Sequence, residues 1–272
     1  MKKTILSTLC FLLVSCFMFF ADAGTRIVVL GSSTAAGAGV SDSNRAWVNQ
    51  YRTYLQSIDP TNTVTNLAKG GYTTCAIMPT GTDPYNTGNH ILEVDTERNI
   101  TKALSLSPNA IIINMPTNDV SNGIPVATQM KHFATIIDLA KAAGVKVWIT
   151  TSQPHNFGEK YDGPYSEEHQ PDIWKQAARD QFKELTDSIL NKYGEYALDF
   201  YTPIATEDGY SFIRPEYDSG DGVHLNDAAH DILFNIVKNA NIPEIAGSTP
   251  VEISTTPIYI CLLYTSDAAD EL

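Results

Sequence analysis

The chain has 272 residues and a formal net charge of −13. With 43% hydrophobic and 18% charged residues it is composed like a globular protein, not a disordered one, and it is long enough to bury one α/β core without staples. The acidic balance and the lack of a basic patch argue against nucleic acid as a partner and disfavour anionic polymers and anionic membranes.

Residues 1–23 read as a cleavable export signal. Lys2 and Lys3 supply the positive start, residues 5–20 are mostly apolar, and Ala21-Asp22-Ala23 is an A-x-A site that puts the mature start near Gly24. A secreted or periplasmic location follows. The weaker alternative is a lipoprotein signal on Leu13-Val14-Ser15-Cys16, weaker because Phe17, Met18, Phe19 and Phe20 are apolar where a lipoprotein continues into a polar tether. The apolar run is short for a transmembrane anchor, and nothing else in the chain could span a bilayer, so no stable membrane insertion is expected. Of the four cysteines only Cys75 falls in the expected folded body, which excludes an internal disulfide there and a structural zinc cluster of Cys type.

From Arg26 onward short apolar runs alternate with helical patterns. Residues 26–30 (RIVVL), 63–67, 110–115 (AIIINM), 145–151 and, more weakly, 196–201 read as strands. Residues 46–57, 95–106, 125–143, 171–193 and 226–239 carry helical spacing. Such alternation predicts a mostly parallel five-stranded sheet covered on both faces. The stretches 76–93, 153–170 and 202–220 read as long irregular loops, which in a compact domain are often functional.

In an open parallel sheet, ligands bind outside the carboxyl ends of the strands. Those ends carry Gly31-Ser32-Ser33-Thr34-Ala35-Ala36-Gly37, then Gly70-Gly71-Tyr72-Thr73, then Pro116-Thr117-Asn118-Asp119; Gly220-Asp221-Gly222-Val223-His224 precedes the last helix. Together they offer what acyl transfer needs. A serine on a tight strand-to-helix turn can be the nucleophile, and Asp-x-x-His spacing lets a carboxylate orient the imidazole that deprotonates it. Asn118 offers an amide donor, and Gly71 a backbone N–H with no Cβ in the way. Each piece alone is weak; their joint occurrence, in this order, is the signal.

In these four blocks, and over residues 26–242, the chain resembles the SGNH (GDSL-type) serine hydrolases. The resemblance implies a three-layer α/β/α flavodoxin-like fold and an esterase or lipase activity with no cofactor or metal. It implies Ser33, Asp221 and His224 as catalytic residues, with Ser33, Gly71 and Asn118 forming the oxyanion hole. Two positions depart from the pattern: Ser32 stands where the family usually has Asp, and Pro116 replaces a glycine. Neither is a group that must react.

Around this constellation Tyr72, Gln153, His155 and Asn156 are candidate substrate contacts, since functional residues concentrate on such loops. His132 and His230 are expected on helix surfaces or in packing, Trp47 and Trp174 in the core. Asp119, Asp218 and Asp227 read as caps or solvated loop carboxylates, and Asp199 as a remote alternative orienter for His224. The hydrolase domain is expected to span 24–243, followed by a linker over 244–260. Residues 261–272 (CLLYTSDAADEL) look like translated sequencing adapter. The expected substrate is a small-molecule or polysaccharide ester with a short acyl group, such as an acetylated carbohydrate. The alternatives are a lysophospholipase, lipase or thioesterase of the same fold, and a carbohydrate-binding module without activity.

Overall fold

The computed structural model describes residues 24–115, 117–161 and 172–247. The expected signal segment, Pro116 and everything from Ser248 onward lie outside them. The chain runs β1 (Arg26–Gly31), α1 (Ser33–Ala36), α2 (Trp47–Ile58), β2 (Thr63–Asn66), β3 (Tyr85–Asn86), β4 (Ile91–Leu92), α3 (Ile100–Ser105), β5 (Ala110–Asn114), α4 (Asn118–Ser121), α5 (Val126–Ala142), β6 (Lys146–Thr150), α6 (Ile173–Tyr193), β7 (Ala197–Leu198), α7 (Asp227–Asn239) and α8 (Ile242–Gly247).

Five strands form one parallel sheet in the order β2-β1-β5-β6-β7. Successive side chains of a strand face opposite sides of a sheet, and here both sides are apolar. Ile27, Val29, Ala110, Ile112 and Trp148 pack with Trp47, Val48, Tyr51 and Leu55 of α2 and with Ala229, Leu233 and Val237 of α7. Val28, Leu30, Ile111, Ile113, Val147 and Ile149 pack with Ile100 of α3, with Phe133, Ile136 and Ile137 of α5 and with Leu185 and Ile189 of α6. The result is the expected three-layer α/β/α fold. Strand order reverses between β1 and β5, and a crevice opens at such a switch point beyond the carboxyl ends.

Several details differ from expectation. The stretch expected to be irregular over 76–93 contains the two-stranded β3–β4 ribbon. The last strand stops at Leu198, because Phe200 and Tyr201 give their N–H groups to Thr151 Oγ1 (2.8 and 2.9 Å) and not to a neighbouring strand. The folded body continues past residue 243: α8 runs to Gly247, with Ile242 buried and Ile245 packed on the same core. Trp47 is core, as expected, but Trp174 is 82% exposed, because it sits in the first turn of α6. Among the described residues no helix is long and apolar enough to cross a membrane.

Candidate active site

Ser33 is the first residue of α1, directly beyond β1. Ser32 precedes it in extended conformation, and its N–H continues the β1–β5 ladder to Asn114 O at 3.1 Å. Ser33 is 9% exposed, and Gly70 lies alongside it: a Cβ built on Gly70 would stand 3.9 Å from Ser33 Cβ. The first N–H groups of a helix have no intrahelical acceptor, so this turn directs donors outward.

The second block is carried in by the strand next to β1. Lys69 N–H still bonds Gly31 O at 3.2 Å, and the chain then turns through Gly71 at φ +84°, a backbone region that favours glycine. Asn118 opens α4 just after β5. Its Nδ2 donates to Ser32 Oγ at 2.7 Å and to Tyr72 O at 2.9 Å, so one amide joins the first three blocks. Both amide hydrogens are engaged in the free protein. Donation to any further acceptor would therefore take one over or share it.

Asp119 braces this side from behind. Its carboxylate accepts from Thr74 N–H at 3.0 Å and from Thr74 Oγ1 at 2.5 Å, and Thr74 Oγ1 shares a 2.7 Å hydrogen bond with His132 Nδ1. The residue after Asn118 is thus tied to the loop that carries Gly71. Asp119 is buried, not a solvated cap, and burial outweighs the Thr74 bonds to push its carboxyl up to about 6. Burial likewise lifts the Cys75 thiol to about 11, which keeps it a protonated, unreactive neighbour.

Asp221 and His224 sit on a loop. Asp221 Oδ2 lies 2.7 Å from His224 Nδ1, while Oδ1 accepts the N–H groups of Val223 and His224, each at 2.8 Å. Burial would raise the Asp221 carboxyl, but the backbone and ring bonds of His224 and the N–H of Val223 prevail and hold it at about 2. An ionised Asp221 requires the hydrogen on Nδ1, which leaves Nε2 free to accept a proton. Gly39, downstream of the Ser33 turn, packs against this loop: a Cβ there would come within 2.9 Å of His224 Cβ and overlap the Leu225 carbonyl. Asp199, the alternative orienter, instead gathers Tyr201 and Thr202 N–H groups, each at 3.0 Å.

The four candidate substrate contacts separate by environment. Tyr72 donates its hydroxyl to the Asp95 carboxylate and, with Gly71, lines a depression of 440 Å³. His155 accepts Phe157 N–H on Nδ1 at 2.8 Å, so its hydrogen sits on Nε2; burial lowers its pKa to about 4, and Asp221 and His224 are close enough to act on it electrostatically. Asn156 closes the base loop: its N–H bonds Gly222 O at 2.8 Å and its Oδ1 accepts Ile213 N–H at 2.8 Å. Gln153 is 2% exposed, accepts from Thr34 Oγ1 at 2.6 Å and donates to Val223 O at 2.7 Å. Both amides are hydrogen-bonded within the protein, and Asn156 also lines a depression beside Asp221. No local sequence spacing signalled the Thr74–Asp119 and Gln153 ties.

The profile of the GDSL-like lipase/acylhydrolase family matches residues 29–232. The chain belongs to this family. That makes it a carboxylic ester hydrolase. No curated protein sequence matches this acylhydrolase. Its fold is similar to a GDSL-like lipase from Bacteroides thetaiotaomicron, at 18% identity over 81% of this chain and 89% of that one, TM-score 0.54. It is similar too to a lipase/acylhydrolase from Enterococcus faecalis, at 18% identity over 82% and 96%, TM-score 0.53. A third similar fold is a psychrotrophic esterase of a Pseudoalteromonas species, solved inhibited by monoethylphosphonate, at 14% identity over 79% and 96%, TM-score 0.52.

Proposed function

We propose that this acylhydrolase is an exported esterase that removes short acyl groups, acetyl esters of carbohydrates above all, through an acyl-enzyme on Ser33. The observation that carries the reading is the 2.7 Å contact of Asp221 with His224 Nδ1, on a loop tied to the nucleophile turn. His224 Nε2 takes the proton of Ser33 Oγ as the oxygen attacks the ester carbonyl. The N–H groups of Ser33 and Gly71 and the Asn118 amide receive the oxyanion. Collapse expels the alcohol, which takes its proton from Nε2, and a water deprotonated by His224 then releases the acyl group as the acid and restores Ser33.

Polar side chains that a carbohydrate could meet line both depressions at the site: Glu93, Asp95 and Thr96, beside Ile91, Leu92 and Val94, in the one at Gly71, and Glu159, Lys160, Tyr161 and Asp218, beside Ile213 and Pro215, in one of 450 Å³ at Asp221. A cavity of 580 Å³ lies away from these residues, at the amino end of β6 around Val145 and Val147. Export rests on residues 1–23.

The test is a series of p-nitrophenyl esters from acetate to laurate, with acetylated xylan and pectin beside it. Turnover should be highest on acetate, and Ser33→Ala should lose on the order of 10⁴- to 10⁶-fold in kcat. Near-wild-type turnover by Ser33→Ala ends the triad assignment; a preference for laurate ends the short-acyl assignment.

A further inference from the structure

We infer that Gln153 is a positioning residue that sets the distance between the nucleophile turn and the base loop. The inference rests on the triad reading above. Gln153 stands just beyond β6, on a segment still fixed to the sheet, since Thr151 N–H bonds Leu198 O at 2.9 Å and Ser152 Oγ bonds Met115 O at 3.4 Å. Its side chain reaches past the intervening β5 to Thr34, the residue after the nucleophile. Its other amide atom holds the carbonyl of Val223, the residue before the base.

The orientation of the amide follows from its partners. A carbonyl only accepts, so Nε2 must face Val223 O, and Oε1 is left to accept the Thr34 hydroxyl. Glutamine suits this span: asparagine is one methylene shorter, and glutamate offers the Val223 carbonyl no donor. The segment also holds the base loop from beneath, through Asn156 N–H to Gly222 O at 2.8 Å. That second bond grips the loop but does not reach the nucleophile turn. Gln153 grips both, and it is buried, so water does not readily replace either partner.

The consequence is a dependence of chemistry, more than of binding, on a residue that touches no substrate. A displacement of about 1 Å between reacting groups costs on the order of 10²-fold in rate. Gln153→Met keeps the volume and removes both hydrogen bonds. It should lower kcat about 10- to 100-fold with KM changed less than about threefold. Thr34→Val removes only the bond on the nucleophile side and should cost about tenfold or less in kcat. If both act through one tie, the double variant loses no more than Gln153→Met alone.

The experiment measures kcat and KM for wild type, the two single variants and the double variant on p-nitrophenyl acetate, below the midpoint of each variant's thermal unfolding. In parallel, wild type is treated with a p-nitrophenyl alkylphosphonate and the modified peptide is located by mass spectrometry. A loss in kcat at near-constant KM, non-additive with Thr34→Val, establishes the tie. A Gln153→Met kcat within twofold of wild type, a loss carried by KM, or losses that multiply in the double variant would each overturn it. Phosphonylation elsewhere than Ser33 would overturn the triad reading itself, and the two failures are distinct.

Discussion

The two halves of the candidate site are held by different means. Ser33, Gly71 and Asn118 lie in the turns that follow β1, β2 and β5, with Ser33 buried, Asn118 half-buried and Gly71 exposed, and the carboxylate behind them, Asp119, is buried. Asp221 and His224 sit on a loop between glycines 220 and 222 and Leu225, with side chains 50% and 28% exposed. The first half inherits its geometry from the sheet. The second makes its own, from hydrogen bonds of Asp221 to the residues that follow it and from Asp218, which accepts Gly220 and Gly222 N–H at 2.8 and 3.0 Å. The sheet-borne half rests on a buried carboxylate, Asp119, and stores strain there. An exposed half is cheap to fold and depends on ties to its surroundings for placement.

The strongest way to break this contrast is at Asp221. In Asp221→Asn the Oδ1 atom can keep both backbone N–H bonds, so the loop should hold its shape. The amide nitrogen then faces Nδ1 and forces the hydrogen onto Nε2, which removes the base. The expected loss in kcat is up to ~10⁴-fold, tempered by water that reaches this half-exposed side chain. Steady-state kinetics checks it, beside an unfolding midpoint lowered only modestly, by the stability that the ionised and half-exposed Asp221 contributes. A loop that collapses without the charge would instead show a large drop in the midpoint with the lost activity.

On the sheet-borne side the corresponding change is Asn118→Ala. In the proposed mechanism it deletes one oxyanion donor, and it also releases Ser32 Oγ and Tyr72 O from their shared partner. Loss of one such donor costs ~10²–10³ in kcat. KM should move little, because the interaction strengthens in the transition state. A loss that appears mainly in KM would mean that Asn118 binds the ground state.

The same contrast separates what the sequence made legible from what it did not. Strands β1 and β5 are uninterrupted apolar runs, and both faces of such strands must be covered, so RIVVL and AIIIN lead to the layer order with little ambiguity. The site blocks follow because they lie at predicted strand ends. The β3–β4 ribbon has two residues per strand, too few for any period to register. Trp174 fits an apolar helix pattern, yet the pattern does not say that the first turn of α6 projects beyond the core. The Gln153 bonds span 119 and 70 residues of sequence, so no local spacing announces them. Asp119 read as a cap because a helix does begin beside it; that its carboxylate turns inward to Thr74 is a tertiary fact.

The smallest expected effect is on stability, and it isolates the strain on the buried side. Asp119 binds its proton more tightly when folded, with a pKa of about 6 against an ordinary 3.8. Between about pH 4 and 6 the native state therefore holds more protons than the unfolded chain, and linkage makes stability fall as pH rises through that window. Above it the full cost of a buried carboxylate is present, offset in part by Thr74. Asp119→Asn removes the titration. The variant shifts stability by a constant wherever it gains or loses hydrogen bonds, and that constant leaves the slope untouched. The midpoint of the variant minus that of wild type should therefore climb from pH 4 to pH 7, as thermal unfolding at matched ionic strength would read it. The exposed half predicts the opposite sign: Asp221, held at about 2, contributes stability that is lost only as pH falls below about 4. A flat difference curve between pH 4 and 7 would mean that water or the Thr74 bonds already compensate the buried charge, and that the two halves differ in exposure but not in strain.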